Sequence, residues 1–241
     1  MVLEKIYGKM FYYFLYSINP LKKQIINTPC SIHKFINLQS LEIIKNDKYV
    51  DAFNFFSDNL VSINEGVVWA DQDFKSSGHF YNPYIERGLY GNRNALSLAR
   101  EYYNNTLENW KKSSIQESMF YLGATMHIIQ DMTIPQHANI RLLDNHRQYE
   151  NFVRRNYNNY DDFLAMEGGY YLDDIDEFVI FNSRNAINIY NKLKNIEDEN
   201  ERFYKLTRYI LPMAQRTSAG CLMRFYKDTM IGEENKSGPK G

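Results

Sequence analysis

The five histidines of this 241-residue chain fall into one pattern that could bind metal ions. They are His33, His79, His127, His137 and His146. Each of them has a carboxylate or another histidine at a spacing that would allow both side chains to bind one metal ion. Imidazole nitrogen and carboxylate oxygen are ligands that suit zinc. Because the chain contains no other histidine, we infer that its histidines take part in the protein's chemistry.

The densest part of the pattern reads His127-x3-Asp131-x5-His137-x8-His146-x3-Glu150. On a helix, residues four apart project from one face, so each His-x3-carboxylate pair can offer two ligands together. A single pair of this kind is usually a surface or capping contact. Two pairs around a turn histidine resemble the way a helical bundle builds a metal site in its interior. The alternative, three satisfied core histidines, would require these spacings to arise by accident.

The elements that must position these residues are helices. Apolar residues recur at three- and four-residue spacing in segments 34–47, 50–63, 92–112, 114–131, 146–157, 183–194 and 199–228. Ser114 and Glu117 have capping-box spacing at the start of the fourth segment. Gly123 leaves room for a neighbouring chain or a metal cluster one turn before His127. We therefore predict an all-α fold.

Two segments do not follow the helical pattern. The stretch 64–91 is too long for a simple connection in a compact domain, which favours a functional loop. Residues 168–172 could form at most a short extended piece. The expected organisation is one multi-helix domain over 30–231.

The chain ends and the composition suggest a location. The sequence predicts that residues 1–29 form an amphipathic extension, which either rests on a membrane as a peripheral contact or packs on the domain. For residues 232–241 it predicts a flexible tail. Neither a spanning segment nor a cleavable signal is evident, so a cytoplasmic or membrane-peripheral location is favoured over secretion. The 28 basic and 29 acidic residues nearly cancel, which does not favour nucleic acid as a partner. The sequence does not indicate an oligomeric state.

Residues 120–139 resemble the signature of the zinc-dependent bacterial phospholipases C. Their sequence is FYLGATMHIIQDMTIPQHAN. The resemblance continues through residues 146–152, 69–73 and 78–83, and His33 matches the first histidine of that family. It covers about residues 30–230 and implies a single all-α domain of the phospholipase C/P1 nuclease type.

The resemblance also implies three zinc ions and their ligands. The ligands of the first are His79, His127 and Asp131, and those of the second are His137, His146 and Glu150. His33 would bind the third zinc, with Asp131 bridging it to the first. Asp71 would lie beside the cluster as a metal ligand, a general base or both. In such a site, metal-activated water would cleave a phosphodiester bond.

The third site departs from the family pattern. In the family, the amino-terminal tryptophan completes it, but no tryptophan precedes Trp69 in this chain. A Cys30 thiolate could replace that ligand, because zinc accepts sulfur. Processing near Pro29 could instead make Cys30 the amino terminus. The third interpretation is that Cys30 is an ordinary buried residue and the third site is weak or empty. Cys221 fits the core.

The candidate head-group contacts differ as well. Gln72 and Ser76 stand where a choline-binding relative has aromatic residues, so a preference for phosphatidylcholine is not implied. Phe80 and Tyr81 could compensate, which leaves Gln72, Phe80 and Tyr81 as candidate substrate-binding residues. Phospholipase C-type cleavage of a phospholipid or lipid-like substrate is the leading hypothesis.

Two alternatives stand beside it. An S1/P1-type nuclease shares the zinc cage, but that group usually has Asp where this chain has Glu150. The other alternative is a zinc hydrolase or metal-stabilised binding module adapted to a specialised small molecule.

Overall fold

The computed structural model describes residues 30–72, 77–89, 93–141 and 145–231. These ranges contain α1 (Ser31–Asn46), α2 (Val50–Asp58), α3 (Leu60–Asp71), α4 (Ala95–Lys111), α5 (Ile115–Asp131), α6 (Pro135–Ala138), α7 (His146–Asn156), α8 (Ile175–Leu193) and α9 (Glu199–Tyr226). A 3₁₀ turn at Asp161–Phe163 precedes α8, and a turn of π-helix at Lys227–Ile231 follows α9.

The described ranges contain no strand, and an isolated antiparallel bridge joins Asn82 and Arg87. The predicted all-α class is thus confirmed, and residues 168–172 do not form a strand. No helix among the described residues has the length and apolar character needed to cross a membrane. The predicted extension 1–29 and tail 232–241 lie outside the described residues.

Several predicted boundaries were wrong. Segment 50–63 contains two helices, because the first ends at Asp58 and a new one begins at Leu60. The long loop predicted for 64–91 is shorter, since α3 continues to Asp71. Trp69 on this last turn contacts the rings of Tyr102 and Phe120, and this packing on α4 and α5 keeps the segment helical.

The helix starts were also only partly predictable. Ser114 makes no side-chain cap, so the predicted capping box is absent there. A reciprocal box is present instead at the start of α4, where Asn94 Oδ1 accepts from Ser97 N–H and Ser97 Oγ accepts from Asn94 N–H. Asp174 caps α8, which therefore begins eight residues before the predicted segment 183–194.

Helix α5 is the centre of the fold. From Leu122 to Asp131 every residue is buried, and α3 and α4 lie against this helix over most of their lengths. Its apolar side chains pack with large residues from several other helices, including Phe56, Phe178 and Phe225. The polar residues His127, Gln130 and Asp131 on this buried helix consequently need partners inside the protein.

Two glycines allow α3 and α5 to touch along their backbones. A Cβ atom on Gly66 would lie 1.7 Å from the Phe120 carbonyl oxygen, and one on Gly123 would lie 1.9 Å from the Ile63 carbonyl oxygen. Neither position can hold a larger residue without moving a backbone. The space predicted at Gly123 is therefore filled by a neighbouring helix, which brings the end of α3 beside the metal-ligand face of α5.

We expect Gly123→Ala to lower the free energy of unfolding by about 1–3 kcal/mol or more, because the added methyl overlaps the Ile63 carbonyl. Urea denaturation of the purified variant measures this loss. Gln116→Ala, at an exposed position on the same helix, is the control and should change stability by less than about 0.5 kcal/mol. Equal stability of Gly123→Ala and the parent protein would contradict the close helix contact.

Candidate metal centre

The structure brings all five histidines to neighbouring positions. His33 lies in the first turn of α1, and His79 lies in the segment between α3 and α4. His127 and Asp131 share the last turns of α5, as their spacing predicts. The remaining two histidines lie on α6 and α7. Residues from four helices and one connection thus meet at the carboxyl end of α5.

Asp131 is the common partner of a first group of donors, which contains His33, His79 and His127. Ligand atoms of His33, His127 and Asp131 lie within 4.8 Å of one another. The Oδ2 atom of Asp131 lies 2.8 Å from His79 Nδ1 and 3.2 Å from His127 Nε2. Its Oδ1 faces the other way and lies 3.6 Å from His33 Nε2. The His33 and His127 rings are stacked, with centroids 4.2 Å apart. The two carboxylate oxygens therefore face two different sets of histidines, as a bridging ligand requires.

The second group consists of His137 on α6 with His146 and Glu150 on α7, and each offers a ligand atom within 4.8 Å of the others. His146 Nε2 lies 3.1 Å from Glu150 Oε1. Tyr149 and Val153, on the adjacent side of α7, are buried against α9, and this packing positions the pair.

One hydrogen bond joins the two groups. His137 Nδ1–H donates to the His79 carbonyl oxygen at 2.9 Å. This bond leaves Nε2 of His137 as its remaining ligand atom. Because the acceptor is the backbone of a residue in the first group, the positions of the two groups are coupled.

Several imidazole nitrogens are buried without a hydrogen bond of good geometry to any described residue. They are His79 Nε2, His127 Nδ1, His127 Nε2 and His146 Nε2. Two of them nevertheless lie 3.1–3.2 Å from carboxylate oxygens. Ligand atoms around a tetrahedral zinc, at about 2.0–2.1 Å from the metal, lie about 3.3 Å apart. The donor set therefore fits zinc by both chemistry and spacing.

The electrostatics favour metal-binding protonation states. Burial lowers the pKa of His33 and His79, and lowers the pKa of His137 to about 4. Burial by itself would raise the pKa of Asp131, but the adjacent His127 and His137 outweigh it and hold that pKa well below its usual range. His127 differs, because burial lowers its pKa less than Asp131 raises it. Most of the donors are thus deprotonated at neutral pH.

A buried glutamine that sequence analysis did not identify contacts the site. Gln130 Oε1 lies 2.7 Å from His33 Nδ1, and Gln130 is 2% exposed. Its Nε2 donates to Asn37 Oδ1 and Ser218 Oγ at 2.8 and 3.0 Å. The sequence feature that could have identified Gln130 is a polar residue on the buried face of a helix, directly before Asp131.

Cys30 lies beside the acidic residue predicted next to the cluster. Its thiol donates to Asp71 Oδ2 at 3.2 Å, and burial followed by the Asp71 charge raises the pKa of the thiol. Asp71 is the last residue of α3, at the end of the helix that the two glycines hold against α5. Both cysteines are free, and Cys221 is buried in the core as expected.

The candidate head-group residues have different surroundings. Phe80 is buried and stacks flat on the His137 ring, with centroids 4.7 Å apart. Tyr81 is buried in the main core. Gln72, directly after α3, is exposed. Neither ring presents an open face, and their roles in substrate binding stay predictions. Ser76 lies outside the described residues.

Comparison with known protein families agrees with this geometry. Residues 32–220 match the family described as zinc dependent phospholipase C, and this range is more than half of the chain. The chain belongs to the zinc dependent phospholipase C family.

Individual phospholipases C match with low identity. Phospholipase C of Clostridium novyi is 23% identical over 232 residues, which cover 81% of this chain and 58% of that protein. Phospholipase C of Listeria monocytogenes is 26% identical over 192 residues, which cover 70% and 64%. The chain therefore spans about three fifths of the length of these relatives.

Solved structures with the same fold include two clostridial toxins. The alpha toxin of Clostridium absonum matches with a TM-score of 0.71 at 20% identity, covering 82% of this chain and 63% of that chain. The Clostridium perfringens alpha-toxin matches with a TM-score of 0.70 at 19% identity, covering 83% and 64%. The all-α zinc dependent phospholipase C domain is thus the fold of this chain.

The lowered pKa of the buried His137 predicts how the free energy of unfolding depends on pH in chelator-treated protein. His137 has a pKa near 6.5 when unfolded and about 4 when folded, so between these values the unfolded chain binds more protons. Stability therefore falls as pH falls from about 6.5 to 4. We expect His137→Gln to lose less stability over this range than the parent protein, as measured by urea denaturation at several pH values. Parallel pH profiles would contradict the lowered pKa.

Proposed function

We propose that this protein is a zinc-dependent phosphodiester hydrolase that cleaves a phospholipid or lipid-like substrate in the manner of a phospholipase C. The observation that carries the proposal is the presence of two adjacent donor groups, joined by the bond from His137 to the His79 carbonyl. A single isolated group would serve equally well as a structural site. Two neighbouring groups allow positive charge to be placed on both sides of one phosphoryl group.

The proposed ligand sets combine these contacts with the family pattern. His79, His127 and Asp131 Oδ2 would hold one zinc, and His137, His146 and Glu150 would hold another. His33 and Asp131 Oδ1 are the donors proposed for a third. Cys30, whose thiol bonds Asp71 Oδ2, is a candidate sulfur ligand for this site, and an ordinary buried cysteine is the alternative. Zinc held there supplies charge that neutralises phosphoryl oxygens and lowers the pKa of water toward about 7.

The protein's own groups prepare this chemistry. Asp131 stays anionic because its pKa is low. Both of its carboxylate oxygens are therefore available as ligands. In Glu150, the interaction with His146 outweighs burial and lowers the carboxyl pKa, so this ligand is anionic too. The stacked Phe80 ring fixes the plane of His137 and excludes water from one side of the ligand.

Asp71 is proposed to accept or orient the proton of the attacking water. Its Oδ2 already accepts a hydrogen bond from the Cys30 thiol. It also lies close enough to His33, His79 and His127 to affect the pKa of each of them. A carboxylate in this position can serve as a general base or complete a ligand set.

The burial of Phe80 and Tyr81 limits how these two residues could bind the head group of the substrate. A quaternary ammonium group is bound by exposed aromatic faces. Since neither ring offers an exposed face, burial does not support a choline cage built from these two aromatics, and their roles in substrate binding stay predictions.

Purified protein loaded with zinc should release diacylglycerol from mixed phospholipid vesicles, and a chelator should abolish the release. Thin-layer or mass-spectrometric analysis of the lipid phase measures the product. Single-stranded DNA and RNA are tested in parallel. Release of nucleotides without diacylglycerol would replace the phospholipase proposal by a nuclease. Inertness toward all three with zinc bound would favour a binding module.

Asp71→Asn should lower kcat/KM at least about 100-fold, because an amide cannot accept the proton of water. Asp58→Asn, which neutralises an exposed carboxylate on α2, is the matched control and should retain activity. Zinc content separates the two proposed roles: unchanged zinc identifies a general base, whereas loss of one zinc identifies a ligand. Full activity of Asp71→Asn would remove Asp71 from the mechanism.

A further inference from the structure

We propose that Gln130 is a positioning residue that holds His33 in the tautomer with Nδ1 protonated and Nε2 free to bind zinc. This inference rests on the proposed zinc centre and adds a residue to its machinery. Gln130 cannot itself reach a metal bound by His33, because the imidazole ring lies between its amide and Nε2. It would act on the metal only through His33.

The hydrogen bonds around Gln130 fix which end of its amide faces the histidine. Its Nε2 donates to Asn37 Oδ1 and to Ser218 Oγ, and this use of both N–H groups leaves Oε1 toward His33. An amide oxygen only accepts, so His33 Nδ1 must carry the proton across the 2.7 Å contact. The opposite ring nitrogen, 3.6 Å from Asp131 Oδ1, is then the ligand atom.

The bonds continue away from the metal centre. Asn37 Nδ2 donates to Asn64 Oδ1 at 2.9 Å. Reversing the Gln130 amide would therefore require Asn37 and Asn64 to reverse with it. Because Gln130, Asn37 and Ser218 are at most 2% exposed, water cannot readily replace a lost partner. The series of amides thus favours one tautomer of His33.

Zinc binding makes this arrangement necessary. When Nε2 coordinates a metal, the Nδ1 proton remains and needs an acceptor, and Gln130 Oε1 is the acceptor in contact with it. His137 in the second group has the same requirement, which the His79 carbonyl meets. A backbone oxygen therefore orients one ligand, and we assign the equivalent task at His33 to the Gln130 side chain.

The first test is a substitution that removes the acceptor but keeps the approximate size. Gln130→Leu should weaken zinc binding at the His33 site about 10- to 100-fold, as measured by competition with a chromophoric chelator. Gln215→Leu is the matched control, since Gln215 is equally buried but bonds the Ala165 N–H and the Phe163 carbonyl away from the site. Gln130→Glu keeps an acceptor for Nδ1–H and should restore binding.

A double-mutant cycle separates positioning from a general loss of structure. In the His33→Ala background, Gln130→Leu should have little further effect on zinc affinity, because Gln130 acts through His33. A full additional loss in that background would overturn the proposal. So would wild-type affinity in Gln130→Leu.

Nitrogen-15 NMR of histidine-labelled wild-type protein tests the proposal even if the variants fold poorly. The His33 signals are assigned by their loss in His33→Ala. We expect a protonated Nδ1 and an unprotonated or metal-bound Nε2, with and without zinc. Ligation through Nδ1, or a protonated Nε2 in the zinc-free protein, would overturn the proposal. Failure of the wild type to bind any zinc would instead overturn the proposed function. A negative result for Gln130 alone would leave the proposed function intact.

Discussion

The arrangement of the site depends on one buried carboxylate. Asp131 is 6% exposed and lies at the end of a helix whose last turns are fully buried. An ionised carboxylate in such surroundings is costly unless opposite charge or hydrogen bonds compensate for it. His79 and His127 on one carboxylate oxygen provide part of this compensation. Zinc ions would provide more, which is why the family chemistry and the electrostatics of this chain agree.

The position of that carboxylate depends in turn on close backbone contact. Gly66 and Gly123 let α3 and α5 approach until carbonyl oxygens occupy the places of missing side chains. The contact carries Asp71, the last residue of α3, to the same end of the core as Asp131. Two small residues at the contact of α3 and α5 therefore help to set the distance between Asp71 and Asp131.

Neutral groups complete the control of ligand orientation. The His79 carbonyl, the Gln130 amide and the Phe80 ring each contact an imidazole without contributing a metal ligand. They select a ring plane or a tautomer, so less ordering remains to be done when a metal binds. A centre built in this way can have its ligands in place before any ion arrives, provided that burial keeps most histidines neutral.

The sequence by itself determined the all-α class and the ligand candidates, because helical periodicity and the His-x3-carboxylate spacing are local properties. It also indicated space at Gly123 for a neighbouring chain or a metal cluster, and the structure shows that a neighbouring helix fills it. The sequence did not determine where α3 ends, since the packing of Trp69 on two other helices decides that. The capping box was expected at Ser114 but forms at Asn94.

Only the tertiary structure decided which oxygen of Asp131 faces which histidine, and that Phe80 and Tyr81 are buried. It alone brought Gln130 against His33, which is 97 residues away in the chain. The physical reason is the same in each case: these contacts join segments distant in sequence, and no local preference encodes a distance between them. Residue types and spacing specified the chemistry available, while the packing of α1, α3 and α5 specified its geometry.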